Sequence, residues 1–176
     1  MYQYDIPRSF IARLRVNKSN YQGQLGTVEL STYLDRSYGA TYSSWLTLSD
    51  YPYAPKQLFW FGALNVANTI DYYEIRTWRA ANQRETSHNQ RLDWSTNRYI
   101  GLYPAKDTPG PFWSLSKRIT APGEYSDVRI ISENLRPMAA YNKTQAGDYQ
   151  SHYLNDEAGE TLAFEIEVVD TGIRWP

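Results

Sequence analysis

Residues 57–79 read QLFWFGALNVANTIDYYEIRTWR. Over residues 58–66, apolar side chains fall on both faces of an extended chain, with Trp60 on one face and Phe59 and Phe61 on the other. A strand without a polar face has to be covered on both sides. The first half of this stretch therefore predicts a strand in the middle of a hydrophobic core.

The second half of the stretch alternates between apolar and charged residues. Tyr73 and Ile75 share one face, whereas Glu74 and Arg76 share the other, which is typical of a half-solvated strand. Residues 68–69, Asn-Thr, lie between the two halves, and Asn tolerates the positive φ of a tight turn. Together the two halves predict a central β-hairpin.

The rest of the chain carries further short strand patterns separated by turn-rich segments. These patterns lie at residues 10–16, 27–34, 41–48, 92–103, 112–119, 126–132, 149–154 and 161–169. Residues 79–90 are polar and lack the apolar stripe of an amphipathic helix, so they predict a loop. About nine to eleven short strands without a helix predict an all-β protein. We expect residues 1–176 to form a single antiparallel β-sandwich or jelly roll, with a closed β-barrel as the second choice.

Charge and cysteine usage exclude several functional classes. The chain has 18 Lys and Arg against 19 Asp and Glu, a balance that gives no general attraction to nucleic acid. It has no cysteine, which excludes a disulfide scaffold, thiolate zinc sites and cysteine nucleophiles. Residues 1–10 lack the basic start and apolar run of a signal peptide, and no window resembles a membrane span. The expectation is a soluble chain, cytoplasmic at synthesis or exported without a leader.

Motifs for catalysis or cofactor binding are missing from the sequence. His88 and His152 lie in polar segments without a partner motif, and no nucleotide-binding or zinc-binding signature occurs. Glu165 and Glu167 share one strand face at a spacing that would suit a glycosidase, about 7 Å. The same spacing is usual for the solvated face of a terminal strand, which is the interpretation we favour. We therefore expect a non-enzymatic protein with no metal or cofactor, and we rank a hydrolase last.

Aromatic residues carry the functional signal of this sequence. The chain has 16 Tyr and 6 Trp but only 5 Phe. Rings meant only for a core favour Phe, because a buried Tyr or Trp needs a partner for its polar atom. The bias indicates rings at a binding surface, although Tyr is also common at solvent-facing strand positions.

Aromatic rings beside amides, acids and arginines suit carbohydrate. A ring covers the C–H face of a sugar while the polar groups bind its hydroxyls. The leading hypothesis is a lectin-like module that recognises a glycan or glycoconjugate. The candidate ligand-binding residues are Trp78, Arg91, Asp93 and Trp94 around the polar loop, followed by Tyr51, Tyr53 and Trp113.

The same side chains also suit a membrane interface and a protein–protein surface. The first alternative is a toxin-like, pore-forming protein that binds a membrane or a protein receptor and oligomerises. The second is a structural subunit of a phage or secretion assembly. In composition the chain resembles cytolysin-like and fungal-lectin-like β-sandwiches, but no motif aligns with either, so the sequence assigns no family.

Overall fold

The computed structural model of the protein describes residues 3–18, 20–32, 38–65, 70–78 and 89–175. A 3₁₀ turn, Ile6–Arg8, precedes the strands. The strands are β1 (Phe10–Lys18), β2 (Tyr21–Thr32), β3 (Tyr38–Ser49), β4 (Leu58–Ala63), β5 (Tyr72–Trp78), β6 (Gln90–Trp94), β7 (Ile100–Pro104), β8 (Trp113–Leu115), β9 (Gly123–Val128), β10 (Ile130–Ser132), β11 (Ala139–Ala146), β12 (Tyr149–Asn155), β13 (Glu160–Thr161) and β14 (Phe164–Thr171). The all-β prediction is confirmed.

Seven of these strands close into an antiparallel barrel. The ring of pairings runs β1–β2–β3–β7–β6–β5–β4 and returns to β1. β14 and β9 extend the sheet from β1, while β12, β11 and β13 extend it from β3. The closed barrel that the sequence analysis ranks second is thus the arrangement formed, and closure gives the barrel strands partners where a sandwich would leave edges.

The central hairpin is confirmed as β4 paired with β5. The pairing runs from Leu58 opposite Trp78 to Ala63 opposite Tyr73. Every residue of β4 is buried, as expected for a strand covered on both sides. The predicted turn at residues 68–69 lies outside the described residues.

The prediction that β5 is a half-solvated strand is wrong, because its polar face is buried. The side chain of Glu74 has no exposed surface, and that of Arg76 is only 10% exposed. Tyr4 from the N-terminal segment and Trp175 from the C-terminal segment pack over this outer face. The Arg76 guanidinium carbon lies 5.9 Å from the ring centre of Tyr4, 5.6 Å from that of Trp60 and 5.3 Å from that of Trp175. We call Arg76 and these three rings the Arg76 cage.

Hydrogen bonds complete this buried group. Arg76 Nε donates to Glu74 Oε1, and Glu74 Oε2 accepts from the Tyr4 hydroxyl at 3.1 Å and from the Gly110 N–H at 2.7 Å. The Trp60 Nε1–H donates to the carbonyl of Ile173 at 2.9 Å. Both ends of the described chain therefore hold the outer face of the hairpin.

The barrel interior forms the main hydrophobic core. Its fully buried members include Phe59, Phe61 and Tyr73 from the central hairpin and Phe164 from β14. The inward pattern predicted for residues 161–169 is confirmed, because Leu162, Phe164, Ile166 and Val168 are all buried. On the opposite face Glu165 and Glu167 form ion pairs with Arg15 at 2.6 Å and with Arg13 at 3.5 Å.

The far ends of β2 and β3 extend past the barrel and pack against the β11–β12 hairpin. A second, small apolar cluster forms there from Val28, Leu30 and Ala146, with Tyr51 packed against it. The sequence analysis missed β11 because its apolar alternation is weak. This hairpin brings β12 beside β3, with which it pairs at residues 151–153.

Candidate ligand-binding site

The turn between β6 and β7 presents two exposed polar side chains. The Ser95 N–H donates to the Tyr99 carbonyl at 2.8 Å, and the Arg98 N–H donates to the Ser95 carbonyl at 3.0 Å. The Ser95 hydroxyl accepts from the Tyr99 N–H at 3.2 Å. These bonds close a tight turn with Thr96 and Asn97 exposed at its tip.

Arg98 anchors this turn to the loop after β12. Its guanidinium lies 4.4 Å from the ring centre of Trp94 and donates through both Nε and an η nitrogen to the carboxylate of Asp156. The Asp156 side chain has no exposed surface. A bidentate ion pair of this kind fixes the orientation of the two side chains as well as their distance, so the tip of the β6–β7 hairpin is held in place.

A bulge in β11 redirects Asn142. The register with β12 shifts between Tyr141 and Lys143, and Asn142 has φ 57°. Asn accepts this left-handed conformation more readily than most residues, and a bulge re-aims the side chain of the extra residue. The Asn142 Nδ2 donates to the Tyr99 hydroxyl at 2.5 Å, which joins the β11–β12 hairpin to the start of β7.

Three aromatic rings from three different parts of the chain meet beside this bond. The Trp45 ring centre lies 6.1 Å from that of Tyr99 at an interplanar angle of 68°. The Tyr99 and Tyr153 ring centres are 6.0 Å apart at 84°. Edge-to-face pairs hold rings in fixed relative orientations, so they form the rigid wall of a concave surface.

The three rings line a cavity of about 430 Å³ together with Ser95, Thr96, Asn97 and Asn142. We call this cavity the cup. Its described lining combines aromatic rings with hydroxyl and amide groups and includes no charged side chain. Its volume lies within the range of small-molecule sites.

The Tyr153 hydroxyl stays protonated at neutral pH. Burial raises its pKa to about 12, helped by the negative charge of Glu29. A protonated phenol can both donate a hydrogen bond to a ligand and accept one from it. The Tyr99 hydroxyl is held by its hydrogen bond from Asn142. The cup therefore offers oriented polar groups beside fixed apolar rings.

Four of the sequence-predicted residues lie near one another on β6 and β8. The rings of Trp94 and Trp113 are 5.0 Å apart, and Arg91 donates to Asp93 at 3.0 Å and to the Thr108 carbonyl at 3.2 Å. Trp113 is fully buried, so the prediction that it contacts a ligand does not hold for this structure. Arg91 is 6% exposed, and its bond to Thr108 ties the loop between β7 and β8 to β6.

Trp78 does not share a site with Trp94. The pairing of Arg76 with Arg91 places Trp78 beside residue 89, five residues from Trp94, or about 17 Å along the sheet. The Trp78 ring packs on Trp175 at 5.3 Å, next to the Arg76 cage. Trp94 instead packs against the barrel core. The polar loop that was predicted to join them falls mostly in residues 79–88, outside the described part of the chain.

Tyr51 and Tyr53 form a third aromatic group with Tyr149. The ring of Tyr51 lies 5.6 Å from each of the other two, and Tyr53 is 80% exposed. Tyr51 also lines a polar surface cavity with Asp50 and Lys56. These tyrosines remain candidates for ligand contact, at a location separate from the cup.

The candidate residues predicted from the sequence do not include Trp45, Tyr99, Asn142 or Tyr153. Trp45 lies in a correctly predicted strand, where its outward direction was a usable signal. The bulge at Asn142 leaves no pattern in the sequence that would distinguish it from an ordinary strand residue.

Comparison with protein-family models, with curated proteins and with solved structures gives no match to this chain. In the part of the chain that the structure describes, no group of three or more His, Asp or Glu side chains could hold a metal ion. The same residues include no helix long and apolar enough to cross a membrane.

Proposed function

We propose that the protein is a non-enzymatic, lectin-like module that binds a neutral glycan in the cup. The observation that supports this most directly is the lining itself, in which Trp45, Tyr99 and Tyr153 stand beside Asn97 and Asn142. A sugar ring has apolar C–H faces and an equator of hydroxyls. The aromatic rings would cover a C–H face, and the amides and hydroxyls would bind the equatorial groups.

The charges around the cup favour a neutral sugar over an acidic one. Arg98, the nearest cation to the lining on the β6–β7 turn, is already paired with Asp156. The negative charge of Glu29 acts on the Tyr153 hydroxyl and contributes to its raised pKa. An anionic sugar would meet no unpaired cation in the described lining and would approach a carboxylate, which disfavours its binding.

A quaternary ammonium ion is the other ligand that three aromatic rings can hold. Such an ion makes no hydrogen bonds, so the exposed amide of Asn97 and hydroxyl of Thr96 would lose water without gaining a partner. Unpaired polar groups of this kind cost free energy. A hydroxyl-bearing ligand satisfies them, and this favours a sugar.

The test is isothermal titration calorimetry with a panel of neutral sugars, alongside tetramethylammonium and phosphatidylcholine vesicles with and without phosphatidylserine. We expect one class of sugar to bind saturably. Trp45→Ala and Tyr153→Ala should each weaken that binding at least tenfold, because each removes a wall of the cup. Circular dichroism and thermal unfolding check that both variants are folded.

Tyr149→Ala is the matched control, since Tyr149 lies on the same strand as Tyr153, is also partly exposed and does not line the cup. It should bind like the unmodified protein. Unchanged affinity in both cup variants would overturn the proposal. Binding of tetramethylammonium or of vesicles, with no response to any sugar, would overturn it in favour of another ligand class.

A further inference from the structure

Asn142 lines a second cavity as well as the cup. This cavity, which we call the groove, has a volume of about 830 Å³ and is lined by Asn20, Tyr21, Asn142, Lys143, Gln150, His152 and Glu160. The groove is shallower than the cup and lies at the end of the barrel where β1 turns into β2.

The cup and the groove lie on opposite faces of the β11–β12 hairpin. Tyr153 lines the cup and the preceding residue, His152, lines the groove, and successive strand residues point to opposite faces. β13 pairs only with Ala139 and Ala140, so among the described strands the edge of β11 is uncovered from Tyr141 onward. Asn142 sits in the bulge at this edge, where an elongated ligand could pass from one face to the other.

The groove is polar and balanced in charge. Lys143 and Glu160 contribute opposite charges to its lining. Burial and the charge of Lys143 lower the pKa of His152 below its ordinary value, so its imidazole is neutral at pH 7. The amides of Asn20 and Gln150 add donors and acceptors. Such a surface suits hydroxyl groups without a net charge, the same chemistry as the cup.

Given the proposed glycan function, on which this step rests, we propose that the ligand is a neutral oligosaccharide of at least two residues. One sugar residue occupies the cup and the next lies in the groove, with Asn142 between them. Tyr21 is the one tyrosine or tryptophan in the described lining of the groove, and its ring packs on His152 at 4.8 Å. The groove therefore adds hydrogen bonds to a ligand that the cup already holds.

The test compares monosaccharides with their β-linked dimers by titration calorimetry: glucose with cellobiose, galactose with lactose, and N-acetylglucosamine with its dimer. We expect one dimer to bind at least tenfold more tightly than its monomer. Gln150→Ala should remove most of that gain and leave the monosaccharide affinity unchanged. Asn142→Gly, which keeps the left-handed backbone while deleting the side chain, should weaken both ligands.

Gln145→Ala is the control, because Gln145 lies on β11, bonds to the Gly147 carbonyl and does not line the groove. Equal affinities for monomer and dimer, or a dimer gain that survives Gln150→Ala, would overturn the extended site and leave the cup as the glycan site. A lack of response to every monomer and dimer would instead overturn the proposed function.

Discussion

Two clusters of Tyr and Trp lie on the outer surface of the barrel, one on β4 and β5 and the other beside β3 and β12. In the Arg76 cage, the rings of Tyr4, Trp60 and Trp175 surround the chain's own guanidinium at 5.3 to 5.9 Å. In the cup, ring centres 6.0 and 6.1 Å apart border a cavity open to solvent. The ring types are the same, but one cluster encloses a charge and the other does not.

The difference follows from the buried carboxylate beneath the cage. Glu74 has no exposed surface, and a buried charge needs a partner and hydrogen bonds. Arg76, Tyr4 and the Gly110 N–H supply them. The cup has no comparable charge in its described lining, so no charged side chain of that lining fills the space between its rings. Aromatic content alone does not distinguish these two roles.

Replacing Arg76 is expected to have the largest effect on stability. Arg76→Met leaves Glu74 buried without its cation, which typically costs about 3–5 kcal/mol. Urea unfolding followed by circular dichroism measures the loss. Arg15→Met is the control, because the Arg15 side chain is 48% exposed and pairs with Glu165 at the surface, where an ion pair contributes about 0–1 kcal/mol. Similar losses in the two variants would show that the cage is not a buried charge site.

Trp175→Ala tests whether the C-terminal ring stabilises the cage. The ring contacts Trp60 and Trp78 at 5.3 Å each and the Arg76 guanidinium at the same distance. We expect a loss of about 1–2 kcal/mol from aromatic and cation–π contacts. A double-mutant cycle with Arg76→Met should give a coupling of about 0.5–1 kcal/mol. Additive losses would mean that the guanidinium and the indole do not interact.

The strands can be predicted from the sequence more reliably than either aromatic cluster. The hairpin β4–β5 and the strand β14 are predictable because a two-residue period in hydrophobicity reports directly on strand faces. The burial of Glu74 cannot be predicted in this way, because a polar strand face has the same sequence pattern whether water or another segment of the chain covers it. Tyr4, which covers this face, lies 70 residues away in the chain.

The cup cannot be predicted from the sequence for a related reason, because its residues are far apart in the chain. Its key bond joins Asn142 to Tyr99 across 43 residues, and the Arg98–Asp156 pair that fixes the turn spans 58 residues. Neither pairing follows from a local pattern. The prediction that loop aromatics bind a glycan remains a prediction, and the cavity that we propose for it is lined by other aromatic residues than those first named.

The dependence of stability on alkaline pH tests one tyrosine hydroxyl from each cluster, that of Tyr4 in the Arg76 cage and that of Tyr153 in the cup. Burial is the main cause that raises the pKa of Tyr4 and of Tyr153 to about 12, whereas an unfolded chain loses the tyrosine proton near pH 10. Between pH 10 and 12 the folded state keeps protons that the unfolded state releases, so stability falls as pH rises. Tyr4→Phe and Tyr153→Phe should each make this fall less steep, as measured by urea unfolding at successive pH values. A slope equal to that of the unmodified protein would contradict the burial of that hydroxyl.

Tyr53→Ala has the smallest expected effect and separates the cup from the site first predicted. Tyr53 is 80% exposed and its ring touches Tyr51 rather than any residue of the cup. We expect less than about 0.5 kcal/mol of lost stability, as for most surface substitutions, and an unchanged affinity for the sugar that Trp45→Ala weakens. Calorimetric titration of both variants with the same sugar makes the comparison. A tenfold loss in Tyr53→Ala with normal binding in Trp45→Ala would place the ligand at the tyrosines near β3, because only contact with the ligand could give so exposed a ring that much influence.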